Sequence, residues 1–183
     1  NMLNKNRTFI TEGIVLKRVN VGETDRVVTF LTRDFGKLVG VAKGVRSLKS
    51  TKRAHLEPGN LVKIFCIKTK SMPLITQSSL LEYVQSSTRN SLSALRGLAQ
   101  ILEILDKLFV EEDNDEPSYL QAVELRKAVL DNHTNGKIQP LLSKLLQNLG
   151  YQSFEKTHHK SVLDYVAEIT EREMKSFEYL RVK

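Results

Sequence analysis

Tryptophan is absent, cysteine occurs once and aromatic residues make up only 7% of the 183 positions. Each scarcity removes a class of protein. The lone Cys66 excludes an internal disulfide and, with His158-His159 as its only conspicuous company, offers no structural zinc spacing. Adjacent histidines point to different sides of a helix and chelate poorly, so that pair reads as solvated residues at a helix start. No apolar run approaches the roughly 18 residues that would cross a bilayer, so no membrane association is expected. The opening Asn1-Met2-Leu3-Asn4-Lys5-Asn6-Arg7 lacks the apolar centre of a secretory signal. Asn1 ahead of Met2 reads as a cloning remnant and is set aside. Without a secretory route the Asn132-His133-Thr134 sequon is empty, and a cytoplasmic location is expected. The glycine spacing around Gly36-Lys37 is not that of a P-loop, and no Ser-His-Asp or paired-carboxylate pattern stands out. The sequence therefore predicts no enzyme, no metal and no cofactor.

What is abundant is positive charge, and it is lopsided. The net charge is +7. Residues 1–85 hold 15 Lys/Arg against 6 Asp/Glu, and residues 86–183 hold 13 against 15. All of the excess lies in the first half, which points to a polyanionic partner for that half.

The two halves also differ in period. Short β-rich runs begin at Ile14-Val15-Leu16, Arg26–Thr32, Lys37–Lys43, Leu61–Ile67 and Leu74–Val84. Turn chemistry separates them at Val21-Gly22, Arg33-Asp34-Phe35-Gly36, Pro58-Gly59 and Ser71-Met72-Pro73. Five short strands in about 75 residues predict a small β-barrel. We read it as OB-type, although strand count alone does not separate that from an SH3-like barrel. The second half carries helical stripes. They are Leu95, Leu98, Leu102, Leu105 and Phe109, widened by Ala99, Ile101 and Leu108; then Leu120, Val123, Val129 and Leu130 behind Pro117; then Ile138, Leu141, Leu142, Leu145 and Leu149, closed by Gly150; then Leu163, Val166, Thr170, Met174 and Phe177. Asn135-Gly136 reads as the end of the second helical region. The predicted class is α+β: an OB-type barrel over 1–85 and an all-α domain over 86–183, with the boundary near Ser86-Ser87-Thr88.

The sharpest local feature runs from Phe35 to Leu56, which holds Lys37, Lys43, Arg46, Lys49, Lys52 and Arg53 and no acidic residue. Interleaved Gly44, Ser47, Ser50 and Thr51 suit a mobile loop. Such cations follow a phosphate backbone and release its counterions, while hydroxyls and backbone N–H groups add hydrogen bonds; the plain alternative is a solvated, solubilising loop. Lys17, Arg18 and Arg26 on the strands are the reserve DNA-contacting set. Among aromatic candidates for base stacking, Phe30 and Phe65 sit inside apolar strands, Tyr83 ends the last one, and Phe35 at a turn has the best prospect of exposure. Cys66 reads as inert packing. The acidic run Glu111–Glu116 reads as a solvated loop whose last acids favour the helix at Pro117; its functional alternative is a segment that mimics nucleic acid or repels it.

The ordered pieces Glu12-Gly13-Ile14-Val15-Leu16, Gly22-Glu23-Thr24-Asp25, Phe30-Leu31-Thr32-Arg33-Asp34-Phe35-Gly36-Lys37 and Val41-Ala42-Lys43-Gly44-Val45-Arg46 resemble the N-terminal domain of the RecO family of recombination mediators. Leu149-Gly150-Tyr151 and Lys175-Ser176-Phe177-Glu178-Tyr179-Leu180 resemble pieces of that family's helical domain. The resemblance implies an OB-fold followed by helices, and a role in DNA repair and homologous recombination. That role comprises binding single- and double-stranded DNA, annealing complementary strands and helping RecA load onto strands coated by single-stranded DNA-binding protein. Its implied partners are RecR and the C-terminal tail of the coating protein, and its implied setting is the nucleoid. The family's basic barrel surface maps onto Lys37, Lys43, Arg46, Lys49, Lys52 and Arg53. Two departures stand out: the cysteine cluster that many members carry after the Leu-Gly-Tyr region is missing, so zinc is not carried over, and the helical half is shorter. A second function class stays open beside the first, an interaction scaffold whose basic barrel surface docks an acidic protein segment.

Overall fold

A computed structural model describes residues 7–47, 50, 52–84, 91–113, 115–131 and 135–170. The chain divides into two compact units, one of residues 1–83 with 111–114 and one of residues 84–110 with 115–183. The expected boundary at Ser86-Ser87-Thr88 lies outside the described residues.

The first unit contains β1 (Thr8–Val21), β2 (Asp25–Thr32), β3 (Gly36–Ala42), a single helical turn α1 (Lys52–His55), β4 (Leu61–Ile67) and β5 (Leu74–Glu82). The strands close in the order β1-β2-β3-β5-β4, with every pairing antiparallel except β3 with β5. This is an OB-type barrel. Alternation puts Val15, Val28, Phe30, Val62, Ile64, Cys66 and Ile75 into its interior, and Val45 and Leu56, from outside the strands, complete the core. β1 starts six residues before the first apolar cue at Ile14, because Thr8–Gly13 pair with β4. It serves both neighbours by bending at a bulge between Val15 and Lys17. There Val15 N–H donates to Asn60 O at 2.9 Å and Gly59 N–H donates to Val15 O at 2.8 Å.

The second unit holds α2 (Leu92–Leu108), α3 (Glu116–Leu130), α4 (Asn135–Asn148), a short 3-10 turn (Phe154–Lys156) and α5 (Val162–Thr170). Ser91 caps α2 by accepting from Ala94 N–H at 3.3 Å, and Asp115 caps α3 by accepting from Ser118 N–H at 3.3 Å. α4 ends in a Schellman arrangement: Gly150 sits at φ 87°, its N–H bonds Gln147 O, and Tyr151 N–H bonds Leu146 O.

Several helical expectations need correction. α2 buries Ala94, Leu98, Ile101, Leu102 and Leu105, but leaves Leu95 36% exposed and Ala99 exposed. α3 buries Tyr119, Ala122, Leu125, Arg126 and Val129, while Leu120 is 49% exposed. Apolar residues are scattered around α3, so packing partners, not periodicity, choose its inner face. Asn135-Gly136 opens α4 instead of closing the region before it. Met174 and Phe177 lie outside the described residues. His158 is exposed, but His159 is half-buried, pairs through Nε2 with Glu168 and packs on the Tyr165 ring at 5.1 Å. Among the described residues no helix is long and apolar enough to cross a membrane.

Candidate nucleic-acid interface

The β1–β2 turn and the chain leaving β3 are knitted together at one end of the barrel. Asp25 Oδ1 accepts from Gly44 N–H at 2.8 Å and from Thr24 Oγ1 at 3.1 Å, and Arg46 N–H donates to Thr24 O at 2.9 Å. The Arg46 guanidinium donates to the Gly22 carbonyl. The Gly44 hydrogen bond and then that of Thr24 hold the Asp25 carboxyl below its usual pKa; burial opposes them less strongly, and the charges of Lys43 and Arg46 add weaker support. Beyond Arg46, Ser47 N–H bonds Gly44 O and Ser50 N–H bonds Ser47 O. α1 follows, where His55 Nδ1 lies 3.1 Å from Ser78 O. Among the described residues of the basic stretch, Gly44 and Arg46 are bonded to the β1–β2 turn and His55 to β5.

This end gathers Lys43 and Arg53, both exposed, with the half-buried Lys52 and Arg46. Lys49 lies outside the described residues. Arg18 and Arg26 are here too, joined by one carboxylate: Arg18 Nε meets Glu57 Oε2 at 3.0 Å and Arg26 NH1 meets Glu57 Oε1 at 3.2 Å. Arg26 is buried and also donates to Asn20 Oδ1 at 3.0 Å. Burial first, then the like charge of Arg18 and, more weakly, Arg53 lower its pKa, and Glu57 offsets them. Arg26 is thus a structural cation, not the strand-surface contact that the sequence held in reserve. Its tie to Glu57 joins residues far apart in the chain and leaves no local signal.

Lys37 is not part of this cluster. It opens β3 and Lys43 follows its end, six positions on, or roughly 20 Å at strand rise. Lys37 lines a separate groove of about 610 Å³ with Phe9, Phe35, Lys68, Met72 and Glu112. The Phe9 and Phe35 rings lie 4.7 Å apart at 59°, and Lys68 Nζ stands 6.0 Å from the Phe9 centroid. Phe35 is half-buried, Phe30 fully buried, and Phe65 half-buried on the outer side of β4. Tyr83 is 56% exposed. Sequence reading missed Phe9; the β-branched and aromatic composition of Thr8-Phe9-Ile10-Thr11 is the available signal. Cys66 is fully buried, and burial pushes its thiol up to about 12. Among the described residues no group of three His, Cys, Asp or Glu is placed to hold a metal ion.

The signature pieces have structural work of their own. Thr32 Oγ1 accepts from Phe35 N–H at 3.1 Å and donates to Gly36 O at 2.7 Å, closing the β2–β3 turn. Thr11 Oγ1 donates to Asp34 Oδ2 at 2.6 Å and Arg33 NH1 meets Glu12 Oε1 at 3.2 Å, tying that turn to β1.

Fold and surface together define an OB-type barrel with a cationic end, followed by helices; barrels of this class present one face and its bordering loops to oligonucleotides and oligosaccharides. Residues 7–84 match the family model described as "Recombination protein O N terminal". The chain is a member of the RecO family. It is similar to the DNA repair protein RecO of Chloroherpeton thalassium, with 38% identity over 122 residues covering 66% of this chain and 45% of that protein. A Bifidobacterium longum protein of the same name is 34% identical over 107 residues, 58% of this chain and 45% of its own length. One from Nocardioides is 33% identical over 147 residues, with 78% and 59% covered. The chain spans about half the length of the curated relatives it matches.

Proposed function

We propose that this chain is a DNA-repair protein that binds single- and double-stranded DNA through the end of its barrel and promotes annealing without covalent chemistry. One observation carries the reading: Lys43, Arg46, Lys52 and Arg53, dispersed over a stretch without acids, converge on one barrel end. Bringing complementary strands together requires their repulsion to be screened, and a cationic surface does this without a nucleotide cofactor. The names of the relatives, all DNA repair protein RecO, support the repair role. RecA loading on coated strands, RecR, the tail of single-stranded DNA-binding protein and a place at the cytoplasmic nucleoid belong to the same proposal, resting on family membership.

The test is a salt titration of oligonucleotide binding by the parent chain and by Lys43→Ala/Lys52→Ala/Arg53→Ala, which spares the tethered Arg46. Losing three phosphate contacts flattens the slope on single strands by about 2 and reduces the loss of affinity between 50 and 200 mM salt by roughly 20-fold. Truncating these side chains leaves thermal unfolding within about 0.5 kcal/mol of the parent. An unchanged slope and affinity in a folded variant refutes the assignment of this end.

A further inference from the structure

We propose that the groove beside β3 is a subsite for single-stranded nucleic acid, and that the chain's own acidic segment, Glu111–Asp113, occupies its end as a built-in competitor. The inference rests on the nucleic-acid reading above and adds a second, gated place of contact.

β3 is fully paired with β2 on one side. On its other edge the β5 ladder holds the single pair Val41↔Leu74. Val41 N–H bonds Pro73 O there at 2.9 Å. At the opposite end of the same edge, Glu111 bridges to Gly36 and Lys37. Between these two attachments lies Val39, and outside it opens the groove, walled by the Phe9 and Phe35 rings and by Lys37 and Lys68. Aromatic faces beside ammonium groups suit an unpaired base and its phosphate. A base held in a duplex is stacked on both faces and has none to offer a ring.

The groove is already partly taken. Glu111 and Glu112 line it. Asp113 is seated so closely that a Cβ on Gly36 would lie 2.2 Å from its carbonyl oxygen. Glu112 adopts φ 62°, a conformation that residues with a side chain rarely take, so the surroundings of this segment hold it against its own preference. Three consecutive acidic residues at a turn bring to the basic groove what a single strand also offers it, closely spaced negative charge. While they stay, their carboxylates oppose a phosphate there. A strand that enters must displace them, and affinity for it reports the competition.

The test compares the parent chain with Glu111→Gln/Glu112→Gln/Asp113→Asn, using a fluorescein-labelled oligo-dT and a hairpin duplex as probes over a range of salt. The amide replacements keep size and remove charge. Expected are about tenfold tighter binding of oligo-dT at low salt and a salt slope steeper by about 1.4, as Lys37 and Lys68 each gain a phosphate, with duplex binding unchanged. Adding Lys37→Ala and Lys68→Ala returns oligo-dT binding to the parent level. Glu112→Gly, which removes charge and also suits the positive φ, gives a smaller gain of the same sign and guards against a folding defect in the triple variant. Oligo-dT binding by the triple variant but not by the parent supports the gate. Equal affinity and slope in both refutes the gate alone, and no binding by either refutes the nucleic-acid reading with it. An equal gain on duplex, or preferential capture of an acidic peptide probe by the triple variant, also overturns the subsite.

Discussion

Gly36→Ala and Gly44→Ala form a matched pair that isolates the seating of the acidic segment Glu111–Asp113. Both glycines lie in the left-handed region, at φ 63° and 65°. Alanine at either position therefore costs about 1–2 kcal/mol of backbone strain. Nothing lies within 4 Å of a Cβ built on Gly44, so its variant carries only that cost. A Cβ on Gly36 meets backbone, with Asp113 O at 2.2 Å and Asp113 C at 2.8 Å. Neither atom is the far end of a side chain that can swing away, so the acidic segment must move by about an ångström or leave. Overpacking of this kind costs about 1–3 kcal/mol. Gly36→Ala is therefore expected to lower stability by roughly 2–5 kcal/mol. Release of the segment caps the second component at the free energy that holds it in place. Thermal unfolding followed by circular dichroism reads the difference; for a domain of this size each kcal/mol moves the midpoint by about 4–8 °C. Amide exchange at Glu111–Asp113 reads the release, with protection lost in Gly36→Ala and kept in Gly44→Ala. Equal midpoints and equal protection in the two variants refute the reasoning.

Two further outcomes concern titration. Asp25 has its carboxyl held low in the folded barrel, so it binds a proton less readily there than in the unfolded chain. Its contribution is present above the unfolded pKa, near 4, and is lost as pH falls through the folded value. Asp25→Ala, which removes the acceptor for Gly44 N–H, should therefore lower the unfolding midpoint at pH 7 and converge on the parent in acid; a constant gap across pH 2–7 would contradict this. Cys66 has its thiol pushed up to about 12 by burial. It should resist a disulfide reagent at pH 8 until the barrel opens, and barrel stability should decline above about pH 9, where only the unfolded chain loses its thiol proton. Rapid labelling of folded protein would show the thiol to be accessible.

Turn chemistry and alternation made the strands legible: Leu61–Ile67 has the expected limits, and Arg33–Gly36 is the β2–β3 turn. The start of β1 was not, because Thr8–Gly13 become a strand only by pairing with β4. In the helical unit, Pro117 and the acids before it marked where α3 begins, but the inner face of α3 followed its neighbours instead of its own pattern. The basic stretch was legible as composition and not as a surface. Its members Lys43, Arg46, Lys52 and Arg53 share one barrel end, while Lys37 lines a groove some way along the strand.

The sequence by itself determined the two periods, the turns between strands and the one-sided charge. These follow from backbone sterics, side-chain volume and counting, which act within a few residues of one another. Only the tertiary structure decided that Arg26 is spent on Glu57, that Phe9 faces Phe35, and that Glu111 bridges to Gly36. Each of those contacts joins residues distant in the chain. Barrel closure and the packing of the acidic segment bring them within a few ångströms, where short-range hydrogen bonds, ion pairs and ring contacts first begin to act.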